Sequence, residues 1–350
     1  MRKTFAALIA GGVLYLLLWP VPVDPVAWQP PASHAYPPNT ALEAGERIDL
    51  PDGHGPEDVA VDSLGRIYAG LADGRLVRLA PDGTGMEELA HTGGHPLGLD
   101  FGADGTLYVA DAFEGLLALE PGGPLRTLTT EAGGVPFRFT DDVDVGPDGT
   151  VYFTDASSRF GQPEYKLDVL ESRPHGRLLA WDPATGRTRV LLDSLYFANG
   201  VAVAPDGGYL LVNETTRYRT RRYELTGPRA GTSSVVLEQL PGFPDGVAAA
   251  ADGTFWLTLI APRNPLVDGL AGQPWLRRVI ARLPAFVQPA PARHGFLIQL
   301  DGEGRVLRTL QSPSGVPLAL ISSVEPHGGT LYLGSLEEPA LGRFPLGAAE

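Results

Sequence analysis

Short runs of alternating apolar and polar residues recur along most of the chain, each broken by a Gly-centred turn. "GPEDVAVDSLGRIYAGLADGRLVRLAPDG" begins at Gly55 and "HPLGLDFGADGTLYVADAFEGLLALEPGG" at His95. "FTDDVDVGPDGTVYFTDASSRF" begins at Phe139, and its unit resumes with "HGRLLAWDPATG" at His175. "FANGVAVAPDGGYLLVNETTRYRTRRYEL" begins at Phe197. "FPDGVAAAADGTFWLT" begins at Phe243 and resumes with "HGFLIQLDGEG" at His294, and "ISSVEPHGGTLYLGSLEEPALGRFPL" begins at Ile321. Each unit predicts an alternating strand, a turn of the "PDG" or "ADG" kind, an aromatic-bearing strand and a third strand. One such unit cannot bury both faces of its sheet, whereas radial stacking does so and leaves only short edges. The pattern therefore predicts an all-β fold, a six-bladed β-propeller over residues 45–347. A β-sandwich or solenoid is the alternative. The last unit is one strand short, and "ERIDL" (Glu46 to Leu50) is expected to supply it and close the ring.

Two regions break the alternation. After Arg2 and Lys3 an uncharged apolar run extends from Thr4 to Val23. It is about as long as a membrane-crossing helix, so residues 1–24 are expected to form an N-terminal hydrophobic anchor. The flanking cations would place the propeller on the exported side, periplasmic, extracellular or lumenal. A cleaved signal segment and a secreted protein are the alternative. The Pro-rich residues 25–44 read as a linker. Insertions at Ser157 to Pro174 and Ala261 to Arg293 interrupt two units. The second contains "PLVDGLAGQPWLRRVIARLPAFV", with Arg277, Arg278 and Arg282 among Trp, Leu, Ile and Phe. It predicts either an amphipathic helix over the propeller top or on a membrane surface, or an ordinary packed loop and helix.

Composition narrows the function. Net charge is −14, which repels a phosphate backbone and excludes nucleic acid as the expected partner. The absence of Cys excludes disulfides, thiol nucleophiles and Cys-based zinc sites. "NET" at Asn213 is a glycosylation sequon.

Aligning the units on Val59, Leu99, Val143, Val201, Val247 and Val324 puts Glu57, Leu97, Asp141, Asn199, Asp245 and Ser322 at one position. First strands line a propeller's channel, so these side chains should converge around the axis. Converging carboxylates must be protonated or share a cation. A ligand set of oxygens, Glu57, Asp141, Asn199 and Asp245, suits Ca²⁺ or another hard divalent cation, and lacks the His or Cys that zinc prefers. The competing reading is that these residues cap turns at strand starts, where Asp and Asn are common. Glu57, a poor turn capper, favours the ligand reading.

"GPEDVAVDSLGRIYAGLADGRL", "EAGGVPFRFTDDVDV", "VYFTDASSRF", "FANGVAVAPDG", "GYLLVNETTRYRTRRYEL" and "LPGFPDGV" resemble the strictosidine synthase-like family, nearest its adipocyte plasma membrane-associated protein-like branch. The resemblance covers about Glu43 to Leu346. It extends to the senescence marker protein 30, gluconolactonase and paraoxonase superfamily. It implies a six-bladed propeller with a central Ca²⁺ or other divalent ion, and hydrolysis of lactones or aryl esters. Glu57, Asn199 and Asp245 match the superfamily's metal-ligand positions, and Asp141 stands where relatives commonly have Asn. Gly246 stands where many relatives have a second Asn. Leu97 stands where paraoxonases have a catalytic His. Ser322 stands where true strictosidine synthases have a catalytic Glu, which disfavours a C–N condensing reaction.

No G-x-S-x-G elbow occurs, so an acyl-enzyme on Ser is not expected. The expected activity is metal-dependent hydrolysis of a small-molecule ester or lactone, with Asp245 or Asp141 as catalytic base. Asp142 is a weaker candidate because alternation turns it away. Leu97, Ser322, His95 and His327 are expected to line the substrate pocket. Arg217, Tyr218 and Arg219 read as an exposed basic strand, with pocket shaping as the alternative. A membrane-tethered, non-catalytic binding propeller with a structural metal is the alternative function.

Overall fold

The computed structural model describes residues 2–284, 287–288 and 290–349. Six four-stranded antiparallel sheets follow one another in chain order. Their innermost strands are Val59–Val61, Pro96–Phe101, Thr140–Val145, Ala198–Val203, Gly242–Ala249 and Ile321–His327. The fold is a six-bladed β-propeller. Its last blade is completed by Glu46–Asp49, which pairs antiparallel with Ala340–Pro345, so strands from the two ends of the chain share one sheet. Ile48 and Leu50 carry this closing segment into a core formed with Val59, Val77, Tyr332 and Leu341.

Alternation explains how the blades stack. Tyr152, Leu178 and Ala180 of blade three pack against Val201, Val203, Leu210 and Val212 of blade four. Closer to the axis, backbone meets backbone. A Cβ added to Gly98 would lie 2.6 Å from Asp142 Cα, one on Gly200 2.4 Å from Asp245 O, and one on Gly246 2.6 Å from Ser322 O. No side chain fits at Gly246 beside the Ser322 carbonyl. Acidic side chains stitch these seams. Leu99 N donates to Asp58 Oδ2 at 2.7 Å, and Val145 N to Asp100 Oδ2 at 2.7 Å. Val201 N donates to Asp142 Oδ2 at 2.8 Å, and Val203 N to Asp144 Oδ2 at 2.6 Å. Asp142 is thus a blade-to-blade fastener.

The expected N-terminal anchor is corrected. Helix α1, Arg2–Leu18, has 17 residues and stops before Pro20 and Pro22, where ring geometry forbids continuation. At about 1.5 Å per residue it spans roughly 26 Å, short of the roughly 30 Å hydrocarbon core. No helix among the described residues is long and apolar enough to cross a membrane. The membrane partner and the membrane-anchored, exported placement drawn from that span are withdrawn with it. The run instead turns into the protein: Val23 is buried, and Asp24 accepts from Arg173 Nη2 at 2.6 Å and Arg278 Nη2 at 2.5 Å.

Both insertions fold over one end of the propeller. The first forms α2, Tyr165–Glu171; the second forms α3, Pro265–Leu270, and α4, Pro274–Ala281. Helices α2 and α4 pack together. Phe286 of the second insertion lies outside the described residues. The segment after α1 crosses this lid in extended form. Val26 N donates to Glu171 O at 3.1 Å, Trp28 N to Ala271 O at 3.1 Å and His34 N to Gln239 O at 2.7 Å.

Because Ile48 closes the ring from within a core, Ile48→Ala is expected to cost about 2–4 kcal/mol of folding stability. Urea unfolding read by tryptophan fluorescence checks this. A change below about 1 kcal/mol would mean that the closing strand is dispensable.

Candidate functional site

The ring position predicted from the repeats exists as a place in space. In five inner strands the pairing register shifts at or beside it: between Pro96 and Gly98, Thr140 and Val143, Ala198 and Val201, Pro244 and Val247, and Ile321 and Val324. Leu97, Asp141, Asn199, Asp245 and Ser322 all lie within these irregularities. Such bulges bend a strand and re-aim side chains. Glu57 sits just before Val59–Val61 and reaches the same place without one.

Glu57, Leu97, Asp141, Asn199, Asp245 and Ser322 line one small cavity of about 20 Å³, with Asp58, Asp142, Gly246 and Ser323 beside them. That is room for one water-sized or ion-sized occupant. Asp141, Asn199 and Asp245 are buried, and Glu57 is half-buried. The ring is held by neighbours rather than by counter-charges. Asn199 Nδ2 donates to Asp245 Oδ1 at 2.5 Å, and Ser322 Oγ donates to the Glu57 carbonyl at 2.5 Å. Asn213 Nδ2 donates to the Asp245 carbonyl at 2.6 Å, and Thr215 Oγ1 to the Pro244 carbonyl at 2.7 Å. Asn213 is fully buried and fixes Asp245, so its sequon is closed to glycosylation in the folded protein. Repeat alignment misses this role because Asn213 lies on the second strand of its blade.

The electrostatics follow from burial. Burial, then the charges of Asp245 and Asp58, push Glu57 up to about 8. Burial pushes Asp245 up to about 7, against the pull of the Asn199 hydrogen bond. Burial with Glu57 and Asp245 nearby holds Asp141 well above the carboxylate range. Asp141 Oδ2 has no hydrogen-bond partner.

Glu57, Asp141, Asn199 and Asp245 also line a second, larger cavity of about 360 Å³ under the lid. Its walls are largely apolar and aromatic, with Phe139, Phe197 and Phe243 from the blades and Trp28 from the crossing segment. Tyr165, Val169 and Leu170 of α2 and Ile280 of α4 cover it. Tyr218 lines it too and is 1% exposed, which corrects the reading of its strand as exposed. Its hydroxyl donates to Asp268 Oδ1 at 2.7 Å, while Arg219 and Arg221 are both spent on the buried Glu214. His95 and His327 line neither cavity.

The donor set agrees in kind with a hard cation: three carboxylates and an amide oxygen around an ion-sized space, one carboxylate oxygen unpartnered. It is not gathered into a finished shell, for among the described residues no three His, Cys, Asp or Glu side chains form a metal-holding group.

Comparison with known proteins accords with this geometry. Residues 35–79 match the N-terminal model of strictosidine synthase-like proteins, and residues 141–228 match the strictosidine synthase model. Strictosidine synthase-like 10 of Arabidopsis thaliana is 37% identical over 85% of this chain and 87% of its own. The human adipocyte plasma membrane-associated protein is 35% identical over 96% of this chain and 86% of its own. The chain belongs to the strictosidine synthase-like family. This chain shares its fold with more distant propellers. A gluconolactonase from Xanthomonas campestris superposes with a TM-score of 0.62 at 16% identity, covering 94% of this chain and 99% of its own. Regucalcin from Agrobacterium tumefaciens, a calcium-binding protein, gives 0.59 at 15% identity, covering 86% and 93%.

The raised carboxyl pKa values fix a sign. A buried acid that holds its proton more tightly when folded makes the native state the more protonated one. Stability then falls as pH rises from the unfolded value, near 4, through the folded value. In chelator-treated protein, urea-unfolding stability is expected to fall between about pH 5 and 8, by up to roughly 4 kcal/mol for a three-unit shift. Asp245→Asn should flatten the profile. A wild-type profile that rises over this range would refute the assignment.

Proposed function

We propose that this chain is a divalent-metal-dependent hydrolase of esters or lactones, with Ca²⁺ as the expected ion. The observation that carries the reading is the set of three carboxylates and one amide shared by an ion-sized space and a substrate-sized apolar cavity. The gluconolactonase and calcium-binding propellers of the same fold support it. Glu57, Asp141, Asn199 and Asp245 would hold the ion. When bound, such an ion polarises a carbonyl and offsets negative charge developing on its oxygen.

The rest of the work falls to the chain's own groups. The aromatic walls take the apolar part of the substrate and exclude bulk water, which strengthens the electrostatics inside. Asp245 lines both the ion-sized space and the larger cavity, which places it to accept a proton from an attacking water. Asn199 orients its Oδ1 by hydrogen bonding, and Asn213 fixes the backbone beneath it. Asp141, whose Oδ2 is unpartnered, is the other candidate base. Leu97 and Ser322 complete the ring without charge.

Turnover of phenyl acetate and a panel of small lactones, measured with Ca²⁺ and with chelator, tests the reading. Chelation is expected to abolish turnover reversibly, and Asp245→Asn to lower kcat/KM by roughly 100-fold or more, as loss of a general base does. No turnover on any substrate, with Ca²⁺ still raising Tm, would leave a binding propeller with a structural metal.

A further inference from the structure

The lid carries positive charge that this reaction does not use. Arg277, on α4, is 3% exposed. Its Nη1 donates to the Leu170 carbonyl at 3.0 Å, and its Nη2 to the carbonyls of Ala271, at 3.0 Å, and Val26. Its Nε has no partner. Burial and the neighbouring Arg217 charge push its pKa down to about 10, and no carboxylate offsets them. Arg263, its side chain 8% exposed, donates Nε to the Leu240 carbonyl at 2.6 Å and Nη1 to the Pro31 carbonyl at 2.7 Å. Its nearest carboxylate, Asp268, is 3.8 Å away, and its Nη2 is buried without a partner. Lys166, on α2, is half-buried, with Nζ 5.9 Å from the Tyr165 ring.

All three cations line the larger cavity. In a chain of net charge −14 this gathering does not come from composition. A buried guanidinium with no counter-ion is costly, and an anion held near it offsets part of that cost through its field. The cavity is therefore bipolar. Carboxylates stand at the inner-strand ring, cations stand in the lid, and apolar surface lies between them.

We propose that the cavity binds a carboxylate-bearing amphiphile, its acid group toward the lid side that carries Arg277, Arg263 and Lys166 and its apolar body against the aromatic walls. The proposal rests on the hydrolase reading only in placing the ester end of a substrate at the ring, since binding of the anion requires no turnover.

Isothermal titration of the full chain with phenylbutyrate and with the neutral phenylbutyramide, at neutral pH in chelator, separates the two. The carboxylate is expected to bind about tenfold tighter or better, the worth of one charge-assisted hydrogen bond. The readout is the ratio of the two affinities. A loosened lid, the obvious risk of Arg277→Gln, weakens both ligands alike and leaves the ratio in place. The ratio should fall toward one in Arg277→Gln and in the Lys166→Gln, Arg263→Gln double variant. It should persist in Asp245→Asn. Equal affinities in the wild type, or a ratio unmoved by the lid variants, would overturn the proposal. Loss of the ratio in Asp245→Asn alone would do the same, because it would place the acid at the ring. Phenyl acetate turnover by the same preparations judges the hydrolase reading separately.

Discussion

The structure depends on how closely the six inner strands approach around the axis. At Gly98, Gly200 and Gly246 the next blade's backbone, or the Asp142 side chain, occupies the space a Cβ would need. At these glycines the strands leave no room for a side chain of their own. Their free backbone N–H groups must find acceptors within the seam, because a buried unpaired donor is costly. Asp58, Asp100, Asp142 and Asp144 supply those acceptors from the preceding blade. The same packing that closes the ring therefore draws carboxylates to its centre, where water is scarce and like charges face one another.

The acids divide by what satisfies them. Asp142 and Asp58 accept from backbone N–H groups on both sides of a seam, so their oxygens serve the fold. The ring residues one position earlier, Glu57, Asp141 and Asp245, lack such stitching to the next blade, and Asp141 keeps an oxygen without any partner. One residue of register separates a structural acid from a chemical one. Alternation sends neighbouring side chains to opposite sides, and a bulge accompanies the separation at Asp141 and Asp142, whereas Glu57 and Asp58 achieve it without one.

Periodicity made the propeller legible. Each blade obeys the same alternation and turn chemistry, and the missing strand of the last unit pointed to Glu46–Asp49. The ring was legible for the same reason: one repeat position carries Glu57, Asp141, Asn199 and Asp245. What lies outside the repeats was not. The apolar run at the N-terminus has the composition of a membrane span, but Pro20 and Pro22 stop the helix, and Asp24 is claimed by two arginines from different insertions. Tyr218 sits among arginines, and its burial depends on Phe243, Trp28 and Arg263 stacking around it from distant parts of the chain. Contacts of such long range have no period to betray them.

That contrast bears on how one scaffold comes to serve different chemistries. The ring is fixed by blade geometry, and its residues are constrained on every side by backbone. The lid is built from two insertions and a crossing segment, which meet through backbone hydrogen bonds, the Asp24 ion pairs, packing of α2 on α4 and arginine side chains on main-chain carbonyls. Arg277 adds to the backbone bonds there, joining the ends of α2 and α3 to the crossing segment at Val26. A substitution there alters the cavity's shape and charge without disturbing a blade. Selectivity for what enters can thus change at the lid while the ring stays as the propeller requires, because the ring's positions are set by blade backbone.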